Sequence, residues 1–234
     1  MAARGITPPD LSQTTETRRT EPLEIDFDGV RLVIDPEVFE PGPMSVAIVD
    51  HLSRACSGLD APVVADVGTG SGAIAIAFAL RRPDATVFAL DISADAVRCA
   101  LNNAARLQAN NVKVLHGPLL QPLVDKNVKF SAITANLPYV PAPVAGVKEL
   151  LRPNRWRGPR DTIVGAELDG LGLPRALLKQ AQPLLRPDGC IIMEMEEWQT
   201  EVFAREYSGS YRVEIAPTKY FVTLWPSAES PRVL

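Results

Sequence analysis

The chain is short of the residues that build metal centres and disulfide frameworks. It carries two histidines, His51 and His116, and three cysteines, Cys56, Cys99 and Cys190, in 234 residues. Two histidines are too few for a histidine-based metal site, and no pair of cysteines has metal-ligand spacing. An odd number of widely separated thiols sets up no disulfide framework. It fits single thiols in a reducing compartment, so a cytoplasmic location is expected. Long apolar runs are missing too. The longest, Ala73 to Leu80, falls far short of the roughly 20 residues that span a bilayer. The opening stretch to Pro22 is polar and lacks an apolar signal core. A basic excess is also absent. The net charge of −4 argues against a nucleic-acid partner gripped by its phosphates. Four arginines, Arg152, Arg155, Arg157 and Arg160, do cluster in one loop. A solvated charged loop is the plain reading there, and a local phosphate contact is the alternative.

What the chain does have is alternation. Residues 1–22 read as a disordered or loosely ordered lead-in, 227–234 as a flexible tail, and 23–226 as one domain of ordinary α/β size. Leu23 to Ile34 reads as two short strands around Asp28-Gly29, a dipeptide that favours a hairpin turn. A Pro-rich corner follows, then a helix from about Met44 to Ala55, so that residues 23–56 form a hairpin-and-helix cap. From Pro62 the pattern is regular. PVVADV is a strand, GTGSG a turn, and AIAIAFALRR a helix stopped by Pro83. TVFALD is the next strand, and Ser93 caps a long helix to Gln108. VKVLHG and KFSAITAN are two more strands. Leu137 to Leu168 is irregular and of a length that tends to carry function. A helix from Leu173 to Leu185 ends at an RPDG turn, GCIIMEM is a strand, and Glu197 to Tyr207 a helix. YRVEIAP and KYFVTLW are the last strands. No internal repeat is visible. This order predicts a mostly parallel sheet with helices on both faces. Its ligand lies beyond the carboxyl ends of the strands, near the switch in strand order.

The sharpest motif is Asp66-Val67-Gly68-Thr69-Gly70-Ser71-Gly72, between a strand and a helix. Its glycines permit a tight turn and close approach of a ligand. A dinucleotide loop would read G-x-G-x-x-G. Here the spacing is G-x-G-x-G, with an acid two residues ahead of the first glycine. That acid would repel a pyrophosphate and attract a cationic amino group, which favours S-adenosylmethionine over NAD. A turn without a ligand is the alternative. Asp91, about 20 residues on at the end of the next strand, suits both hydroxyls of a ribose, where alone it would read as a helix cap. Gly68, Thr69, Gly70 and Gly72 then form the methionine-end pocket with Asp66. The loop and Asp91 resemble those of S-adenosylmethionine-dependent methyltransferases, and that resemblance implies that Ile92 packs on adenine, that Leu119 lines its side, and that Pro118 stands where an adenine-binding acid is usual. The carbonyl of Gly117 or the N–H of Leu119 is left to hold the base.

The second motif is Asn136-Leu137-Pro138-Tyr139, after the fourth strand of the regular region. The Asn136 side-chain oxygen and a backbone carbonyl of Leu137 or Pro138 can accept two N–H bonds from a planar nitrogen and aim its lone pair at a methyl group. The Tyr139 ring can stack on a flat substrate. Orientation supplies much of the rate in such a scheme. The same four residues, met alone, also read as a strand ending in a turn.

Together, Asp66 to Gly72, Asp91 and the Asn136–Tyr139 tetrad resemble the amino-methylating class I S-adenosylmethionine-dependent methyltransferases. Three further segments are similar to the release-factor glutamine methyltransferases of the HemK type. Val164 to Leu171 resembles a G-G-x-D-G-L segment. Met193-Glu194-Met195 with Trp198-Gln199 resembles E-x-G-x-x-Q. Pro41 to Ser45 sits where that family has P-R-P-E-T. The resemblance covers about residues 23 to 225. It implies a Rossmann-like α/β fold with a mostly parallel seven-stranded sheet and an antiparallel C-terminal hairpin. It implies S-adenosylmethionine as the donor and Asn136, Leu137, Pro138 and Tyr139 at the acceptor. Glu167 and Asp169 become substrate-loop candidates, although either could cap the next helix. The departures are Leu137 in place of a proline, a reduced P-R-P-E-T segment, Met195 near an expected glycine, and no helical domain ahead of residue 23. N-L-P-Y is also similar to rRNA adenine dimethyltransferases. Three acceptors follow: a glutamine amide in a release-factor-like protein, a small-molecule nitrogen, and, against the charge, an adenine amine reached by base flipping.

Overall fold

A run of four parallel strands forms the centre of the computed structural model, which describes residues 19–141 and 165–227. The strands are β3 (Val63–Val67), β4 (Thr86–Asp91), β5 (Val112–His116) and β6 (Phe130–Ala135), joined on one side by β7 (Leu185–Glu194). Two antiparallel strands, β8 (Tyr211–Ile215) and β9 (Phe221–Pro226), complete a seven-stranded sheet of order β5-β4-β3-β6-β7-β9-β8. The order reverses between β3 and β6, the switch point beyond whose carboxyl ends sheets of this kind place their ligands. The Rossmann-like α/β architecture expected from the alternation is therefore present.

The strands are apolar on both faces because both faces are covered. Neighbouring residues enter different cores. Val64, Val87, Ala132 and Ile192 pack with helices α1 (Pro43–Ala55), α2 (Ala73–Arg81) and α3 (Ala94–Arg106). Ala65, Ile133, Ile191 and Met193 pack with α4 (Gly172–Ala181) and α5 (Glu197–Tyr207). Helix α2 is buried nearly all round, which explains why AIAIAFALR carries no polar stripe. Helix α3 starts on Ser93, whose hydroxyl accepts from the Ala96 N–H at 3.3 Å.

Strands β1 (Leu23–Phe27) and β2 (Val30–Ile34) form a separate hairpin. Its turn holds Asp28 at φ 57° and Gly29 at φ 75°, the conformation that a two-residue Asp-Gly loop adopts. The hairpin is fastened by Asn103 of α3. The buried amide accepts from Val33 N at 2.9 Å and donates to Val33 O at 2.8 Å and to Ser71 O at 3.0 Å. Contacts begin before the hairpin, since the Arg19 guanidinium donates to the carbonyls of Ile34, Asp35 and Val38. Residues 1–18 and 228–234, and the four loop arginines, lie outside the described residues.

Two boundaries differ from expectation. The helix read as Leu173 to Leu185 stops at Ala181 and finishes in a 3₁₀ turn, Gln182–Leu184, because Pro183 has no N–H to continue the α ladder. The RPDG segment is part of β7 and not a turn ahead of it. The pairing of β6 with β7 shifts register between Phe130 and Ala132. Gly189 makes this fit, because a Cβ there would stand 2.6 Å from the Phe130 carbonyl oxygen.

Candidate active site

The predicted site residues converge on the carboxyl ends of β3, β4 and β6. Gly68 and Thr69 turn the chain away from β3 by donating to the Leu90 carbonyl at 2.8 and 3.0 Å. Gly68, Gly70 and Gly72 all have positive φ, at 73°, 57° and 82°. Side chains would strain this turn at three points, and two would also collide. A Cβ on Gly68 would lie 2.9 Å from Leu137 Cδ2, and one on Gly72 would lie 2.9 Å from Ile76 Cδ1.

Asp66 is 1% exposed and faces inward. Its Oδ2 accepts from the Thr69 hydroxyl at 2.6 Å and its Oδ1 from the Thr134 hydroxyl at 3.1 Å. The carboxylate therefore braces the glycine turn against β6, where Thr134 is its register partner. Burial pushes its pKa from 3.8 up to about 6, against the pull of those hydroxyls. Thr134 escaped attention in the sequence. The available signal was a hydroxyl residue, one of two with Ser131, in the otherwise apolar segment Phe130 to Ala135.

Asp91 is placed differently. Its Oδ2 accepts the Gly70 N–H at 2.9 Å and its Oδ1 the Ser93 N–H at 2.9 Å. Each oxygen keeps a lone pair for a further donor, which matches the two adjacent hydroxyls of a ribose. Burial raises its pKa, opposed by the two N–H bonds. Beside it Ile92 is 70% exposed, an apolar side chain ready to cover a flat ring. His116 ties the next loop in place through Nε2 and the Ile92 carbonyl at 2.9 Å. Leu119 is half-buried at φ 49° in the loop after β5. Among the described residues, neither the Gly117 carbonyl nor the Leu119 N–H has a hydrogen-bond partner. Both atoms named as replacements for the missing acid are thus open to an adenine edge. This donor set fits S-adenosylmethionine, with paired acceptors for the sugar at Asp91 and a buried acid, Asp66, ahead of the glycine turn.

The tetrad begins where β6 ends at Ala135. Leu137 and Tyr139 are buried, while Asn136 and Pro138 are half-exposed and alternate with them. The Asn136 amide makes no hydrogen bond to any described residue. Tyr139 is 6% exposed, and its hydroxyl donates to Glu194 Oε1 at 3.3 Å. Its ring is part of the core on the α4 and α5 side of the sheet.

The turn at residues 165–170 presses on this backbone. The Gly165 N–H donates to Val140 O at 2.9 Å. A Cβ on Gly165 would lie 2.8 Å from Pro138 O, and one on Gly170 only 2.0 Å from Tyr139 O. Glu167 and Asp169 point away from that contact. Arg175 pairs with Glu167 at 2.6 Å, Asp169 at 2.8 Å and Glu206 at 3.0 Å. Asp169 also accepts the Leu171 N–H at 2.9 Å, which fixes the turn just ahead of α4. Gln199, noted in the sequence only as part of a motif, proves central. It is fully buried and donates to Tyr139 O at 2.8 Å and to Asp169 O at 2.6 Å.

The chain is similar to several known proteins. A methyltransferase domain family matches residues 60–214. The release factor glutamine methyltransferase of Deinococcus radiodurans is 31% identical over 195 residues, covering 83% of this chain and 67% of its own. That of Moorella thermoacetica is 34% identical over 193 residues, covering 81% and 66%. The chain thus spans about two thirds of the length of these curated relatives. Among solved structures, the ribosomal protein L11 methylase of Lactobacillus delbrueckii subsp. bulgaricus has a TM-score of 0.53 at 22% identity, covering 82% of this chain and 81% of its own. The hMettl16 catalytic domain, solved in complex with a MAT2A 3'UTR hairpin, has a TM-score of 0.63 at 16% identity, covering 85% and 75%. At those identities the two structures speak to the fold alone. No described helix is long and apolar enough to cross a membrane. With the glycine turn, the ribose-ready Asp91 and a family match over most of its length, the chain belongs to the S-adenosylmethionine-dependent methyltransferases.

Proposed function

We propose that this enzyme methylates the side-chain amide nitrogen of a glutamine in a protein of the release-factor type. The reading is supported by the relatives' names and by one observation above all. Asn136, half-exposed and with no side-chain hydrogen bond among the described residues, stands just after β6 on a backbone wedged between Gly68 and Gly170.

When bound, S-adenosylmethionine supplies an electrophilic methyl group on a cationic sulfur. Asp91 holds the ribose, Ile92 and Leu119 flank the adenine, and Gly68, Thr69, Gly70 and Gly72 admit the amino-acid end over the turn braced by Asp66. At the acceptor, the Asn136 side-chain oxygen and a carbonyl of Leu137 or Pro138 take the two amide N–H bonds. The nitrogen is thereby turned with its lone-pair face toward the donor. Tyr139 walls the pocket, and Glu167 is held at its margin by Arg175. Fixing the nitrogen in this way replaces strong acid–base chemistry with orientation.

The test is mass spectrometry after incubation with S-adenosylmethionine and three acceptors: a release factor containing Gly-Gly-Gln, cell metabolites, and total RNA. A single added methyl on the glutamine is expected. Methylation of a metabolite or of adenine with none on the release factor overturns the reading.

A further inference from the structure

Gln199 spends its side chain on two unrelated tasks. Its Oε1 accepts the Glu196 N–H at 2.9 Å and closes a capping box at the start of α5. Both N–H bonds of its Nε2 go elsewhere, to Tyr139 O 60 residues away and to Asp169 O 30 residues away. Capping accounts for the oxygen alone, and a glutamate performs that half equally well. The nitrogen is what joins the corner after β7 to the tetrad and to the turn at 165–170.

The joint lies at a mechanically sensitive place. One end of the tetrad abuts the glycine turn through Leu137 and Gly68. At the other end Tyr139 is gripped twice, by Glu194 at its hydroxyl and by Gln199 at its carbonyl. Gly170 sits against that same carbonyl with no room for a Cβ. Asn136 therefore rides on a short segment anchored at both ends.

We propose that Gln199 is a positioning residue for methyl transfer, holding the Asn136–Tyr139 backbone in register with the donor through the Tyr139 carbonyl without touching substrate. The inference rests on the tetrad being the acceptor site. A displacement near 1 Å at a reacting group can cost roughly 100-fold in rate, which sets the size of the effect.

Two variants separate the tasks. Gln199→Glu keeps an oxygen for the cap and loses both donors, while Gln199→Met loses everything but the volume. The measurements are affinity for S-adenosylhomocysteine by calorimetry, kcat and KM for the acceptor, thermal midpoint, and amide hydrogen exchange of residues 131–141. Both variants are expected to keep S-adenosylhomocysteine affinity within about threefold, to lose roughly 100-fold in kcat with a smaller change in KM, and to exchange faster over 131–141. A purely capping role would spare Gln199→Glu, so wild-type kcat in that variant overturns the proposal. Loss of donor affinity and thermal midpoint in step with kcat also overturns it. If the wild-type enzyme methylates no glutamine, the functional reading fails by itself. The clamp then stands or falls on exchange over 131–141, and unchanged exchange in both variants refutes it.

Discussion

Asp91 Oδ2 accepts the backbone N–H of Gly70 at 2.9 Å, so the ribose-side carboxylate and the glycine turn are one hydrogen-bonded unit. Strand β4 supplies the acid, the turn after β3 supplies the donor, and neither can shift alone. On the proposed reading, a sugar held by Asp91 is thereby placed relative to a turn that receives the amino-acid end.

Asp91→Asn tests this unit. The substitution keeps the shape but sets an amide nitrogen against an N–H. Hydrogen bonds to a charged group contribute about 1.5–3 kcal/mol, so affinity for S-adenosylhomocysteine is expected to fall roughly 10- to 100-fold. Titration calorimetry on the variant checks it, and unchanged affinity would remove Asp91 from the donor site.

Asn136→Ala should separate binding from chemistry. The side chain braces nothing in the described structure, so folding and donor affinity are expected to be retained. Turnover is expected to fall by at least about 100-fold, as an orienting group is lost. Initial rates beside the same calorimetric titration provide the comparison.

Gly170→Ala should harm both stability and rate. The residue has φ 76°, and its Cβ would stand 2.0 Å from Tyr139 O. Strain at positive φ and overpacking together are expected to cost about 2–4 kcal/mol. Urea unfolding measures that loss, and a native-like midpoint would show that the turn yields freely.

Asp66 makes a pH-dependent contribution of defined sign. Its pKa is raised from 3.8 to about 6 on folding, so the folded state holds its proton more tightly. Stability from this group is fully present below pH 4 and is lost as pH rises through 6. The loss amounts to about 3 kcal/mol in all. Asp66→Asn should therefore flatten the stability profile between pH 4 and 6. Urea midpoints of both proteins at pH 4, 5, 6 and 7 give the difference, and parallel profiles would contradict it.

Much of this was legible in the chain because it is local. The Asp28-Gly29 turn, the ends of β4 at Thr86 and Asp91, and the span of α5 from Glu197 to Tyr207 follow from turn chemistry, periodicity and capping. The donor motif is local too, being a strand, a glycine turn and an acid one strand later. What stayed hidden depends on contacts between distant segments. Nothing near Gly189 announces that the RPDG segment enters β7, since the reason is the Phe130 carbonyl on another strand. The spacing marks Asp66 as an acid that attracts a cationic group, but its bonds to Thr69 and, across the sheet, to Thr134 are not visible there. The joint effect of Gly165, Gly170 and Gln199 on the tetrad needs the folded chain to be seen.

The anchoring of the hairpin by Asn103 bears on how much polypeptide the enzyme needs. The shared methyltransferase span begins at residue 60, yet two of the three groups held by the Asn103 amide belong to Val33. A chain shortened to that span would leave the amide with Ser71 alone and would strip Leu32, Ile34, Ile48 and Leu52 from the face over α2 and α3. The length that stands by itself is therefore longer than the span the family model matches, and part of the surplus is the hairpin that Asn103 fastens to α3.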